Sequence, residues 1–538
     1  MLASRPPRPA IATAIALALG LLVACDDGGD GDDRRDALPG ADAALDRGAD
    51  GIDAGPDAIA PDAMPAADAE TADAETADAE TAADAALPEP DAAPPRPPLD
   101  GPLGEYVAAP DDAYGWALVD EDQSPAYRAW RLRVDSQNWR TPDEVDRTLW
   151  THTVTLLVPP AVDTTTALVV IDGGSNRDEI EPLDAGDLTL ALTLATQIRA
   201  PVALISQIPN QPLTFTDVGE RYSEDALVAW TWRKAMDTGD LTWPAYLPMV
   251  KGAVRSLDAI QAFTAEAIDD IVIDDFVLTG FSKRGATTWL TAAVDDRVRA
   301  MAPGVFDVLH MEAQIVRHYG AYGFYSEAIE DYVEQGVIEK LGTPESLPVI
   351  AVVDPITYAD RFTMPKLVLS AGGDEFFLPD AGQLYLHELP GETHYRQFPN
   401  TGHGMDNALA DVVITVVGFF RAVVERTPRP QVTWTHDGDT LTVTGTPAPA
   451  SARLWTASNP AARDFRNFIV GEDAWSSTPL EVDADGTVRV TLTPPAEGFT
   501  AYMVDMSFTG GSRRQVYGTP SFIAPDVLPF ADQPLPPR

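Results

Sequence analysis

The sequence predicts an α/β chain: a mainly parallel sheet with helices on both faces, followed by a smaller β-rich part. Two observations carry this. Between residues 104 and 427, short continuous apolar runs alternate with helical patterns, as a sheet covered on both faces requires. After Pro428 the runs shorten, become β-branched and are bounded by turn residues.

The expected strands of the first part are Thr153–Val158, Ala167–Ile171, Val202–Ile208, Asp275–Thr279, Ala300–Ala302, Lys366–Ser370 and His394–Phe398. Helical periodicity covers Glu224–Met236, Tyr246–Ala267, Lys283–Val294 and Asp406–Val424. In the second part the runs are Gln431–Thr435, Thr440–Thr444, Ala452–Ala457, Val488–Leu492 and Phe499–Phe508, with hairpin signals at Asp437-Gly438 and Asp485-Gly486. They read as a β-sandwich over 428–525, leaving 526–538 as a tail.

The N-terminal end has a different logic. Arg5 and Arg8 precede an apolar run from Ile11 to Val23, shorter than the roughly 20 residues of a membrane span. It ends in Leu22-Val23-Ala24-Cys25, which resembles a bacterial lipobox and implies cleavage before a diacylated Cys25. The expectation is a lipoprotein of the bacterial cell envelope, held on the inner or outer membrane by its anchor. Cys25 is the sole cysteine, so intramolecular disulfides are excluded. Residues 26–103 read as a disordered tether: Asp68 to Ala82 repeats Asp-Ala-Glu-Thr-Ala, and like charges keep such a segment extended. The net charge of −46 makes nucleic acid an unsuitable partner.

The chemistry-bearing motif is Gly280-Phe281-Ser282-Lys283-Arg284-Gly285, set between the strand Phe276–Thr279 and a helical run. Strand, sharp turn and helix are the context of a nucleophile elbow, where the turn projects a serine Oγ from the sheet. The N–H of Lys283, at the first helical turn, is placed to bind an oxyanion. Arg284 departs from the Gly-x-Ser-x-Gly pattern by occupying its second small position.

A serine hydroxyl needs a base, and on an α/β-hydrolase fold the order is serine, acid, histidine. The strand Lys366–Ser370 runs into Ala371-Gly372-Gly373-Asp374-Glu375, and the strand ending at Phe398 runs into Pro399-Asn400-Thr401-Gly402-His403. Asp374 and His403 are therefore the candidate acid and base. Glu375, Asp380 or Asp307 could supply the carboxylate instead, and His310 could contact substrate. The other histidines fall outside this order. A second oxyanion donor is expected at the strand end Ile171-Asp172-Gly173-Gly174-Ser175-Asn176, from a backbone N–H near Ser175 or Asn176. Met311 to Phe362, rich in Tyr, Glu and His, is the expected lid. Metal-ligand spacings and phosphate-cradling glycine loops do not occur, so neither metal nor cofactor is expected.

With these residues in view the chain resembles the PhoPQ-activated pathogenicity-related protein family, an α/β-hydrolase-like group. The likeness lies in Tyr114-Gly115-Trp116, Asp172 to Asn176, Gly280 to Trp289, Val353-Asp354-Pro355, Gly373 to Phe377, Pro399 to His403, Leu454-Trp455 and Ala462 to Phe465. The family pattern also carries Ser-Lys-Arg-Gly at the elbow, which makes Arg284 normal there. Glucuronoyl esterases look similar in placing a basic residue after the serine, which implies a role for Lys283 in holding an oxyanion or acidic substrate. The resemblance implies a serine hydrolase acting on a small-molecule, glycan-ester or peptide substrate. A peptidase, or a binding or signalling protein on the same scaffold, are the alternatives.

Overall fold

The computed structural model describes residues 96–533, apart from Asp178 and residues 510–512. The leader, Cys25 and the acidic repeats lie outside the described residues. Packed structure begins earlier than Gly104: Arg96 donates to Asp296 at 2.6 Å and to the carbonyl of Arg361 at 2.6 Å.

Nine strands form one sheet: β1 (Gly115–Ser124), β2 (Tyr127–Asn138), β3 (Leu149–Val158), β4 (Thr166–Ile171), β5 (Val202–Ser206), β6 (Asp275–Phe281), β7 (Val298–Gly304), β8 (Lys366–Ala371) and β9 (Thr393–Phe398). Their order is β1-β2-β3-β5-β4-β6-β7-β8-β9. The run from β5 to β9 is parallel, while β1, β2 and β3 pair antiparallel at one edge. Every strand expected in this part is present.

The helices around this sheet are α1 (Pro102–Ala108), α2 (Ala185–Ile198), α3 (Glu224–Thr238), α4 (Tyr246–Ala267), α5 (Lys283–Val294), α6 (Met311–Tyr322), α7 (Glu330–Glu334), α8 (Val337–Lys340), α9 (Ser346–Val353) and α10 (Leu409–Val424). The apolar faces of α4 and α5 bury one side of the sheet, and those of α2 and α10 the other. Strand β6 displays the consequence of two-sided burial. Phe276 and Leu278 enter one core cluster and Val277 the other. Helices α6 to α9 form the insertion between β7 and β8, where a lid is expected.

The C-terminal part has a three-stranded sheet of β10 (Gln431–Asp437), β11 (Thr440–Thr446) and β14 (Thr487–Thr491). A second sheet holds β12 (Ser451–Asn459), β13 (Ser476–Leu480), β15 (Phe499–Phe508), β16 (Gln515–Gly518) and β17 (Phe522–Ala524). Leu441, Val443, Val504 and Met506 share one apolar cluster with Phe419 and Phe420 of α10, so this part is fused to the α/β core.

A buried ion network ties the insertion to both parts. Asp380, beyond β8, is only 1% exposed and accepts from Arg317 of α6 and, at 2.5 Å, from Arg463 beyond β12. Arg466 binds Asp464 at 2.7 Å and reaches Glu327 at 2.8 Å and Ser326 at 3.1 Å in the insertion. Burial would raise the pKa of Asp380, but the two guanidiniums outweigh it and hold the carboxyl below its usual range. Asp380→Asn keeps the volume and removes the charge that neutralises Arg463, itself 2% exposed. The expected loss is about 3–5 kcal/mol, measured as a lower urea midpoint at unchanged slope.

Candidate active site

Strand β6 turns into α5 at Ser282, whose backbone lies at φ 58°, ψ −128°. A non-glycine residue there stores strain of about 1–3 kcal/mol. The surroundings impose it. Ser282 N–H donates to the carbonyl of Gly304 on β7 at 2.9 Å. A Cβ at Gly280 would lie 2.7 Å from the Arg284 carbonyl oxygen, and one at Gly285 2.8 Å from that of Gly304. The two glycines of the motif are thus steric requirements. Lys283 occupies the first position of α5, where N–H groups lack intrahelical acceptors.

Arg284 acts on the loops beside the elbow. Its guanidinium holds Glu224 bidentately at 2.8 and 2.9 Å, and its Nε donates to the Ile208 carbonyl at 2.6 Å. It also lies across Gly173, where a Cβ would come within 2.3 Å of it. The Lys283 ammonium reaches Glu224 at 2.9 Å and Asp225 at 3.2 Å. Burial would raise the Glu224 pKa, but Lys283 and Arg284 hold it far below the ordinary carboxylate range.

Asp374 and His403 are brought together. Asp374, buried beyond β8, accepts from His403 Nδ1 at 3.0 and 3.1 Å and from the Phe376 N–H at 2.8 Å. Of the alternative carboxylates, Glu375 instead receives the backbone N–H of His403 at 2.9 Å. Asp307 accepts from Tyr385 and, at 3.4 Å, from Tyr395, while Asp380 serves the arginine network. Of these four carboxylates, Asp374 is the one that hydrogen-bonds the imidazole. Phe376 covers the His403 ring, with centroids 4.2 Å apart. Burial lowers the His403 pKa, but the charge and hydrogen bond of Asp374, helped by Glu375, outweigh it, and the net shift is upward. His403 Nε2 is buried without a hydrogen-bond partner among the described residues. No hydrogen bond joins it to Ser282 in this arrangement.

The structure departs from the sequence expectation at Asn176 and at His310. The Asn176 N–H donates to the Gln211 carbonyl, and its side chain to the Pro212 carbonyl at 3.1 Å, because the loop after β4 folds onto residues 207–212. Asn176 lines a polar cleft with Ser175, Arg221 and Ser223, apart from the cavity that contains Ser282. Likewise His310 pairs with Glu388 at 2.9 Å and faces an outer groove. The histidine in the wall of the Ser282 cavity is His318, held neutral with its pKa down at about 3, chiefly by burial. Sequence reasoning missed it, together with Glu224 and Asp225. Both acids read as ordinary first-turn residues of a helix, and only their meeting with Lys283 and Arg284 gives them a role.

A mainly parallel sheet of this order, a strained serine at its elbow and a buried histidine–carboxylate pair in serine, acid, histidine order define a protein of the α/β-hydrolase fold class. The chain belongs to the PhoPQ-activated pathogenicity-related protein family, whose model matches residues 103–466. It is 35% identical over 432 residues to autocrine proliferation repressor protein A of Dictyostelium discoideum, covering 76% of this chain and 86% of that protein. Among solved structures, acetyl xylan esterase 1 from Thermoanaerobacterium sp. is similar at 13% identity and a TM-score of 0.42, over 61% of this chain and 96% of the esterase. A glucuronoyl esterase from Solibacter usitatus is similar at 14% identity and a TM-score of 0.36, over 60% and 90%.

Proposed function

We propose that the protein is a serine hydrolase that cleaves an ester or amide by acyl transfer. The observation that carries this reading is His403, fixed through Nδ1 by Asp374 and left with a free Nε2 in the loop that follows β9. In the reaction Ser282 Oγ attacks the scissile carbonyl as its proton passes to His403 Nε2. Closure of the Ser282–His403 hydrogen bond accompanies substrate binding, as catalytic contacts often tighten only in the complex. The Lys283 N–H, at the first turn of α5 beside the serine, binds the oxyanion. His403 then returns the proton to the leaving group, and water releases the acyl group from Ser282.

A non-catalytic binding role is the competing reading, favoured by the open Ser282–His403 hydrogen bond. A fluorophosphonate probe separates the two: the wild-type protein becomes labelled and Ser282→Ala does not. Equal labelling of both proteins, or of neither, would rule out Ser282 as the nucleophile. A panel of ester and peptide substrates then distinguishes esterase from peptidase.

The raised pKa of His403 sets the pH profile. A general base acts when neutral, so kcat/KM rises with pH through a midpoint above the ordinary histidine value of about 6.5. Asp374→Asn removes the main charge that raises this pKa and leaves burial, which lowers it, opposed by the smaller effect of Glu375. The midpoint moves to lower pH and kcat falls by about 10³–10⁴-fold. An unmoved midpoint would assign the titration to another group.

The anchor is proposed as well. Among the described residues no helix is long and apolar enough to cross a membrane, and Cys25 is the group through which a diacyl anchor would hold the protein at the bacterial envelope. Metabolic labelling with an alkynyl fatty acid should mark the wild-type protein and not Cys25→Ala.

A further inference from the structure

Ser282 and Lys283 stand at the wall of a cavity that runs beneath the insertion. The rest of its lining is dominated by Trp232, Phe306, Ile315, Ile338, Leu341 and Ile350, drawn from the core and from α6, α8, α9 and their connections. Ile315, Ile338, Leu341 and Ile350 are only half-buried. Apolar side chains are left uncovered there, beside the proposed nucleophile.

The polar groups of the same wall are already in use. Tyr332 donates to Asp225 at 3.1 Å, and Asp225 takes the Lys283 ammonium at 3.2 Å. Gln314 gives its amide to the carbonyls of Ala381 at 3.0 Å and Leu309 at 3.3 Å. His318 Nε2 accepts from the Ser326 N–H at 3.1 Å, and Asp307 is held by two tyrosine hydroxyls. Trp232 Nε1 has no partner, but that atom is itself covered. A sugar or a peptide amide placed here would lose its hydrogen bonds to water and find few in exchange, at a cost of about 1–3 kcal/mol for each unmet group. An apolar chain suffers no such loss and gains by leaving water.

We infer that this cavity is an acyl pocket, which makes the substrate an ester or amide whose acyl group is an extended apolar chain. The inference rests on the serine-hydrolase reading and adds the substrate class to it. The chain enters from Ser282 and lies between the core aromatics and the insertion, while the polar leaving group stays outside. The pocket stays open because its roof cannot drop: the Asp380 and Arg466 ion networks pin the insertion at Arg317, Ser326 and Glu327.

The test uses two readouts. With p-nitrophenyl esters from acetate to octanoate, kcat/KM of the wild-type protein should climb by up to about fourfold per methylene, the affinity equivalent of burying one CH₂. Ile338→Trp fills the cavity and should flatten that climb, with thermal melting verifying the fold. Independently of turnover, Ser282→Ala protein should bind decanoate by calorimetry, and should bind neither acetate nor galacturonate. Cleavage at Ser282 with a flat chain-length profile and no decanoate binding would overturn the pocket and leave the hydrolase reading intact. Decanoate binding without cleavage of any ester keeps the apolar site and removes the hydrolase reading.

Discussion

Glu224 is the point on which the site's geometry depends. It lies at the start of α3 with φ at 53°, and its carboxylate receives Arg284, Lys283 and the side chain of Gln211. Through Arg284 it fixes the first turn of the elbow helix and presses the guanidinium onto Gly173. Through Gln211 it fixes the segment that captures Asn176. One carboxylate thereby sets the spacing between the serine and the loop that follows β4. The ammonium of Lys283, 6% exposed, and the guanidinium of Arg284, 11% exposed, would be poorly solvated without it.

A second constraint is how several acids share a small space. Asp374, Glu375, Asp307 and Asp380 all lie around the ends of β7 and β8, yet each has its own cation or donor. Asp374 takes the imidazole, Glu375 a backbone N–H, and Asp380 two guanidiniums. Asp307 has only hydroxyl partners, and burial, reinforced by the charge of Asp374, pushes its pKa up to about 6. The acid that orients His403 is thus singled out by its contacts, as well as by its position after the strand.

Much of this was legible in the sequence, for reasons that differ by element. Strands buried on both faces, such as β6 and β8, appear as continuous apolar runs, and the long amphipathic helices α4 and α5 carry strong periodicity. Ser282, Asp374 and His403 stood out because each follows an apolar strand and sits beside glycines. The antiparallel strands β1 and β2 were missed because β1 is an exposed edge rich in acids, with Asp120, Glu121 and Asp122, and because β2 interleaves Arg128, Arg131 and Arg133 with its apolar residues. Helix α2 was hidden by its threonines and by Gly186, and it is started by Asp184 capping the N–H groups of Gly186 and Asp187. The captured Asn176 was not legible, because its partner Gln211 is set by a distant loop.

The β-rich C-terminal part, which reads from sequence as an appended sandwich, is in fact part of the site's frame. Trp475 N–H donates to the Asn400 side chain at 2.7 Å, and Asn400 returns a hydrogen bond to the Trp475 carbonyl at 2.9 Å. Asn400 itself sits at φ 55°, three residues before His403, so a strained turn of the histidine loop is held from the C-terminal side. Asn467 donates its N–H to the Gly373 carbonyl at 2.8 Å and packs so closely that a Cβ on Gly373 would come within 2.9 Å of it. The acid loop and the base loop are therefore buttressed from the same side by one short segment. The residues that hold Asp374 against His403 are therefore not confined to the elements that carry them.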